Sequence, residues 1–408
     1  MGGISSPWIR GPLVRTPRLC SGETMEALLS ERARGSTSST IRDLLRLSSQ
    51  PHILSMAGGL PAPELFPVDE LGAIAACLFG TDAAARAALQ YGPTEGCDEL
   101  RAIVAPDADP ANVLITTGSQ QALDLLARTL VDRDDIVVVE SPSYLGALQA
   151  MRAEQPNLVP IENDVEGLDT TQLERHLVGG LRPKLCYVVP NFSNPSGATL
   201  SCERRRHLAA LADTYGFVVI EDDPYGLLRY EGAAIEPIRA HGANVVTLGS
   251  TSKTLAPGLR VGWAVLPKWL MAPMVRAKQA ADLHTSSLSQ AIAAQALQAP
   301  WFPGHLAGLR AAYARRAHAL CDVLDANDDV FAVTRRPAGG MFVWARLRGL
   351  IDASALLPMA LASGVAYVPG AAFAELDCFR DRLRLSFATL TVSELREAVT
   401  RLATVVRS

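Results

Sequence analysis

The sequence predicts an α/β protein with a large domain on a mainly parallel sheet of seven strands flanked by helices, and a smaller α+β domain beside it. Three observations carry this expectation. At 408 residues the chain is too long for one simple core and suits two unequal domains. From about Pro67 to Pro267, short apolar runs alternate with helical patterns, as in parallel strands covered on both faces. Beyond Pro273 a long Ala-rich helical region reaches about Asn327 before pieces of strand return.

Residues 1–40 read as an N-terminal extension or mobile segment. Helix-like sequence runs from Met25 to Glu31, and Met25 is itself a candidate start of translation. A short amphipathic helix is expected over Ile41–Leu47. After the apolar stretch His52–Met56, Pro61, Pro63 and Pro67 exclude regular structure, so an ordered connector is expected there rather than a strand. The large domain is expected over residues 67–290, and the small one over 41–66 together with 291–408.

Strands of the large domain are expected at Asn112–Thr116, Ile136–Val139, Leu158–Ile161, Leu185–Val189, Phe217–Ile220, Val245–Leu248 and Gly262–Leu266. Helices at Gln120–Leu130, Thr171–Leu177 and Cys202–Tyr215 fall between them. The small domain should add strands at Met341–Ala345, Val365–Val368 and Leu383–Phe387.

Composition narrows the function classes. With 49% apolar and 20% charged residues the chain matches ordinary soluble globular proteins, and a net charge of -4 gives no sign of a nucleic-acid partner. The seven cysteines are scattered and form no C-x-x-C pair. Neither a metal site nor a disulfide framework is expected, and a cytoplasmic location is. No apolar run approaches the roughly 18 residues of a membrane span, and Met1–Ser21 lacks the apolar core of a signal peptide. The lysines are only Lys184, Lys253, Lys268 and Lys278, so a mechanism that needs an amine has four candidates.

In an open α/β sheet, ligands bind outside the carboxyl ends of the strands. The first strand ends in Thr117-Gly118-Ser119-Gln120 before a helix, whose N-terminal amides would suit a phosphate, although an ordinary strand–helix turn reads the same. The second ends in Glu140-Ser141-Pro142-Ser143-Tyr144, where Tyr144 either stacks on a flat ring or is half-buried packing. The Leu185–Val189 run leads to Asn194-Pro195-Ser196-Gly197, a plain turn or an inward-pointing amide. Phe217–Ile220 delivers Glu221-Asp222-Asp223-Pro224-Tyr225, acids that are either solvated or paired. Then comes Ser250-Thr251-Ser252-Lys253, with Arg260 seven positions on. Together these make one requirement list: phosphate donors, an acid for a protonated ring nitrogen, hydrogen-bond donors for a phenolic oxygen, and an amine for an aldehyde.

These motifs resemble the class I/II aminotransferases, pyridoxal-phosphate (PLP) enzymes of PLP fold type I, from about Thr40 to Leu402. The resemblance implies that Lys253 in S-x-S-K forms the Schiff base and shuttles the proton. It implies that Ser119, Gln120, Ser250 and Arg260 hold the phosphate, that Asp222 pairs with the pyridine nitrogen, that Tyr225 and Asn194 meet the phenolic oxygen, and that Tyr144 stacks on the ring. Tyr91, in Tyr91-Gly92-Pro93-Thr94-Glu95-Gly96, matches a tyrosine that reaches the neighbouring subunit's phosphate, which implies a homodimer with shared sites. Arg384, in Leu383-Arg384-Leu385-Ser386-Phe387, matches the arginine that grips the substrate α-carboxylate. Gly58, Gly59 and Asn194 would line the substrate position.

The implied reaction is a ping-pong amino transfer from an L-amino acid to a 2-oxo acid such as 2-oxoglutarate. Ile41-Arg42-Asp43-Leu44-Leu45 and Met56-Ala57-Gly58-Gly59-Leu60-Pro61 resemble the 2-aminoadipate/kynurenine branch, whose members take aromatic, branched or dicarboxylic amino acids. That branch covers its site with a mobile N-terminal segment. Here the corresponding Arg32-Ala33-Arg34-Gly35-Ser36-Thr37 is richer in hydroxyls than the usual apolar pattern, which argues against a dicarboxylate preference and leaves a specialised amino acid of secondary metabolism equally open. The same scaffold also hosts lyases, racemases and oxidases. PLP-binding transcription regulators resemble this chain too, but they carry an added DNA-binding domain, and the residues before Thr40 show no helix-turn-helix pattern. A cofactor-free interaction protein would leave Lys253, Asp222 and Arg260 without a purpose.

Overall fold

A computed structural model describes residues 28–34, 50, 52–349 and 351–408. The chain divides into two units, residues 1–37 and 38–408. In the first, the described residues contain one helical turn, Glu31–Arg34, and the Ser30 hydroxyl accepts from the Ala33 amide at 3.2 Å. The turn starts where the Met25–Glu31 helix was expected to stop; of the described residues before it, Leu28 is in a 3-10 turn and residues 29–30 are not helical. The expected helix at Ile41–Leu47 lies outside the described residues.

In the second unit the strands are, in chain order, β1 (Leu54–Ser55), β2 (Val113–Thr116), β3 (Ile136–Ser141), β4 (Asn157–Asp164), β5 (Gly167–Leu168), β6 (Leu185–Val188), β7 (Val218–Asp222), β8 (Val245–Ser250) and β9 (Gly262–Val265). They are followed by β10 (Phe331–Val333), β11 (Phe342–Leu347), β12 (Val365–Ala366), β13 (Val368–Pro369) and β14 (Arg382–Ser386). The large sheet has the order β2-β9-β8-β7-β6-β3-β4-β5. Its eight strands are the seven expected plus β5, a two-residue strand antiparallel to the end of β4 and too short to leave a periodic signal. The pairs β4–β3, β3–β6, β6–β7 and β7–β8 are parallel, while β9 runs against both β8 and β2.

The central strands are buried on both faces, which is why each reads as an unbroken apolar run. Val137, Val139, Tyr187 and Ile220 point into one core cluster, and Val138, Cys186, Val188 and Val219 into the other. Flanking helices start and stop on local chemistry. Cys202–Tyr215 is capped by the Ser201 hydroxyl, which accepts from the Arg204 amide, and ends at Gly216 in the left-handed region with φ 73°. The expected Ala-rich region consists of three helices, Lys268–Asp282, Ser287–Gln298 and Phe302–Asp325.

A second sheet, β10-β11-β14-β13, is antiparallel, and its Val343, Ala345, Leu383 and Leu385 join the same core cluster as Val139 and Ile220. The connector forms a short 3-10 turn at Pro63–Leu65, but the apolar stretch before it differs from expectation. Leu54–Ser55 pairs in parallel with Val365–Ala366, a partner far away in sequence that no local pattern reveals.

Candidate active site

The first three groups of the site sit at one end of the large sheet. β2 ends at Thr116, and the chain turns through Thr117 and Gly118 into the helix Ser119–Leu130. Among the described residues no side chain caps that helix, so its first amide groups remain available to an anion. Gly118 has φ 76°, and a Cβ there would lie 2.9 Å from Arg260 Cζ, so glycine is what lets the guanidinium approach. Arg260 reaches this end because β9 is reversed: its first residue, Gly262, pairs with both Thr116 and Ser250. Arg260 itself is held at φ 53° and donates through Nη2 to Thr117 O at 3.2 Å.

β8 ends at Ser250, whose hydroxyl accepts from the Ser252 amide at 3.0 Å and opens the turn Thr251–Lys253. Lys253 Nζ donates to Gly59 O at 2.7 Å. Burial, aided by the positive charges of Arg384 and Arg260, lowers its pKa to about 8. Next to it β7 delivers Asp222. The Tyr187 hydroxyl, on β6, donates to Asp222 Oδ2 at 2.9 Å, whereas Oδ1 is buried without a hydrogen-bond partner among the described residues. Burial pushes this carboxyl up to about 7, against the pull of the Tyr187 bond.

From the second sheet comes Arg384, on β14. Its Nη1 donates to Asn194 Oδ1 at 2.9 Å and its Nη2 to Ala57 O, and the guanidinium lies over the rings of Phe342 and Phe373 at 4.6 and 5.0 Å. Its buried Nε has no partner among the described residues. Burial brings its pKa down to about 10, with Tyr225 and Tyr144 acting in the other direction.

The cavity among these groups has a volume of about 310 Å³. Ser119, Gln120, Tyr144, Asn194, Asp222, Tyr225, Ser250, Lys253, Arg260, Arg384 and Gly59 all line it. Two expected residues do not. Gly58 is buried one residue back from the wall, and Tyr91 is 78% exposed, its ring edge-on to His284 at 5.6 Å. Leu60, Val189, Pro224, Ser252 and Pro257 also line the cavity and were not expected. Nor was Tyr187, which lies inside an apolar run and reads as core; only the pairing of Tyr187 with Ile220 brings it to Asp222.

The donor set has a specific chemical fit. A buried carboxyl oxygen without a partner suits a protonated ring nitrogen, an amine with lowered pKa suits an aldehyde, and bare helix amides beside an arginine suit a phosphate. The family model for aminotransferase class I and II matches residues 74–402. The chain belongs to that family.

The aminotransferase is 39% identical over 396 residues to aromatic-amino-acid aminotransferase 1 of Thermococcus litoralis, with 94% of each chain covered. It is 42% identical over 371 residues to the 2-aminoadipate transaminase of Thermus thermophilus, covering 89% of this chain and 92% of the relative. The crystal structure of the Pyrococcus horikoshii kynurenine aminotransferase, solved in complex with PMP, matches with a TM-score of 0.89 and 37% identity, over 94% of this chain and 97% of that one. The enzyme therefore has PLP fold type I, and its cofactor is pyridoxal phosphate.

Proposed function

We propose that the enzyme moves the amino group of an L-amino acid to a 2-oxo acid such as 2-oxoglutarate, in two half-reactions that share one site. The observation that carries this reading is the convergence of Lys253, Asp222 and Arg384 on a single cavity, with Asp222 Oδ1 lacking a hydrogen-bond partner among the described residues. When bound, pyridoxal phosphate supplies an aldehyde that amines capture and an electron-withdrawing ring that acidifies the substrate's Cα proton. Lys253 is the amine for that aldehyde, and Ser119, Gln120, Ser250 and Arg260 would hold the phosphate. Asp222 would pair with the ring nitrogen and keep it protonated, while Tyr187 holds its Oδ2. Tyr225 and Asn194 would meet the phenolic oxygen, and Tyr144 would stack on the ring.

Arg384 grips the α-carboxylate by charge-assisted hydrogen bonds, and the two phenyl rings fix its plane. Asn194 accepts from Arg384 through Oδ1, and its amide N–H side meets the Tyr225 hydroxyl. With a pKa near 8, Lys253 is neutral in a useful fraction of molecules near neutral pH. Its Nζ would take the proton from the substrate's Cα and deliver it to the cofactor carbon that carries the transferred nitrogen, and the second half-reaction reverses that path, a task that needs a group poised close to the working pH.

A homodimer in the cytoplasm completes the proposal. Phe79, Leu89 and Tyr91 are all exposed on the single chain, which supports a partner that covers them and receives Tyr91 near its own phosphate position. The test of the reaction is a single-turnover assay of the cofactor-loaded enzyme with a panel of amino acids. Amino transfer yields about one equivalent of 2-oxo acid per site without an acceptor, and sustained turnover only when 2-oxoglutarate is added. Continuous product without any acceptor, accompanied by ammonia or peroxide, would instead assign a lyase or an oxidase.

A further inference from the structure

Lys278 is fully buried, a position an ammonium group occupies only with close partners. Its Nζ donates to Asp282 Oδ1 at 2.8 Å, to Asp282 Oδ2 at 3.0 Å and to Gln121 Oε1 at 3.0 Å. Asp282 Oδ2 accepts in addition from the Thr117 hydroxyl at 2.8 Å and from Gln121 Nε2 at 2.6 Å. Gln121 Oε1 closes the loop by accepting the Thr117 amide at 2.8 Å. Thr117 and Gln121 bracket Gly118, Ser119 and Gln120, the turn assigned to the cofactor phosphate. One ion pair on a neighbouring helix thus holds both ends of that turn.

Asp282 is itself anchored. After Leu283, at φ 64°, the chain presents His284 Nε2 to the Gly92 amide at 3.5 Å. Ser287 then donates to Gln90 O at 2.9 Å, and Gln290 Oε1 accepts the Cys97 amide at 2.8 Å. The chain just after Asp282 is therefore tied to one segment, residues 90–97, and the Asp282 carboxylate is bonded to the turn through Thr117 and Gln121. None of its atoms lines the cavity.

We propose that Asp282, paired with Lys278, is a positioning residue for the phosphate: it sets how tightly the enzyme holds the phosphate end of its cofactor without touching the ring. This rests on the assignment of Ser119, Gln120 and Arg260 to the phosphate. A residue that acts only through the turn has a signature that general damage to the fold lacks. It weakens binding of pyridoxal phosphate and spares binding of pyridoxal, which has the same ring and aldehyde but no phosphate.

The experiment titrates the apoenzyme with each of the two compounds, comparing the wild type with Asp282→Asn and Thr117→Val. Asp282→Asn leaves the Lys278 charge without its counterion, and where that variant fails to fold, Thr117→Val decides, since it removes the hydroxyl's bonds to Asp282 and Thr285 and leaves the ion pair intact. The expected result is a loss of about tenfold or more in affinity for pyridoxal phosphate, with pyridoxal binding changed less than about twofold. An equal loss for both compounds, or no loss for either, overturns the positioning role. A wild-type enzyme that fails to prefer pyridoxal phosphate over pyridoxal overturns the phosphate assignment itself, and the proposal with it.

Discussion

Asp222→Asn should make the cofactor-free enzyme more stable. The native carboxyl is pushed up to about 7 from 3.8, because it is buried and one of its oxygens has no partner. A shift of about three units corresponds to at most about 4 kcal/mol by which the ionised form destabilises the fold. The sign follows from proton binding. Between pH 3.8 and about 7 the native state holds a proton that the unfolded chain has released, so stability falls as pH rises through that window. An amide at this position has the same shape, still accepts from Tyr187 and never ionises. The variant's advantage should therefore grow by about 2–3 kcal/mol between pH 5 and pH 8. Denaturant unfolding of both apoenzymes at the two pH values reads this directly. Adding pyridoxal phosphate at pH 8 should reverse the order, because the ring nitrogen gives the wild-type carboxylate its missing partner. A difference independent of pH, or a variant less stable than the wild type at pH 8, would refute the idea that Asp222 waits for a cation.

Three further outcomes follow from the same geometry. Arg384→Lys loses the fork that meets a carboxylate, so kcat/KM should fall by roughly 10- to 100-fold; steady-state kinetics should find the loss equal for all amino acids, and a loss confined to acidic ones would contradict the α-carboxylate role. Gly118→Ala places a Cβ against Arg260 and forces φ 76° on a residue that resists it, which should weaken cofactor binding about tenfold; an unchanged dissociation constant would mean that the phosphate site does not depend on this approach. Lys253 should react with a small amine-directed reagent in the apoenzyme at a rate that climbs as pH passes about 8, since only the neutral amine attacks; mass spectrometry of the peptides follows it, and a rise only near the ordinary lysine range would show that burial does not tune this amine.

How much of this was legible in the sequence depended on how local the signal was. The central strands, covered on both faces, appear as continuous apolar runs, and the residues just after each run are the ones that reach the cavity. Lys253 stood out because the chain has few lysines and because small hydroxyl residues surround it. Tyr187 was hidden for the opposite reason: its ring packs in the core, and only its hydroxyl serves Asp222. Lys278 reads as an ordinary helix-face lysine until the fold turns it toward Gln121. β1, β5 and β10 are too short for any periodicity, and β1 exists only through a partner more than half the chain away. Tyr91, recognised by its motif, does not line its own chain's cavity; it is exposed, with its ring against His284.

The central claim is that Lys253, of the four lysines, carries the cofactor. Reduction of the loaded enzyme with borohydride, followed by proteolysis and mass spectrometry, tests it most directly. The account predicts the added phosphopyridoxyl mass on the peptide containing Lys253, with Lys184, Lys268 and Lys278 unmodified. The label on any other lysine, or no label on an enzyme that turns over, would contradict it.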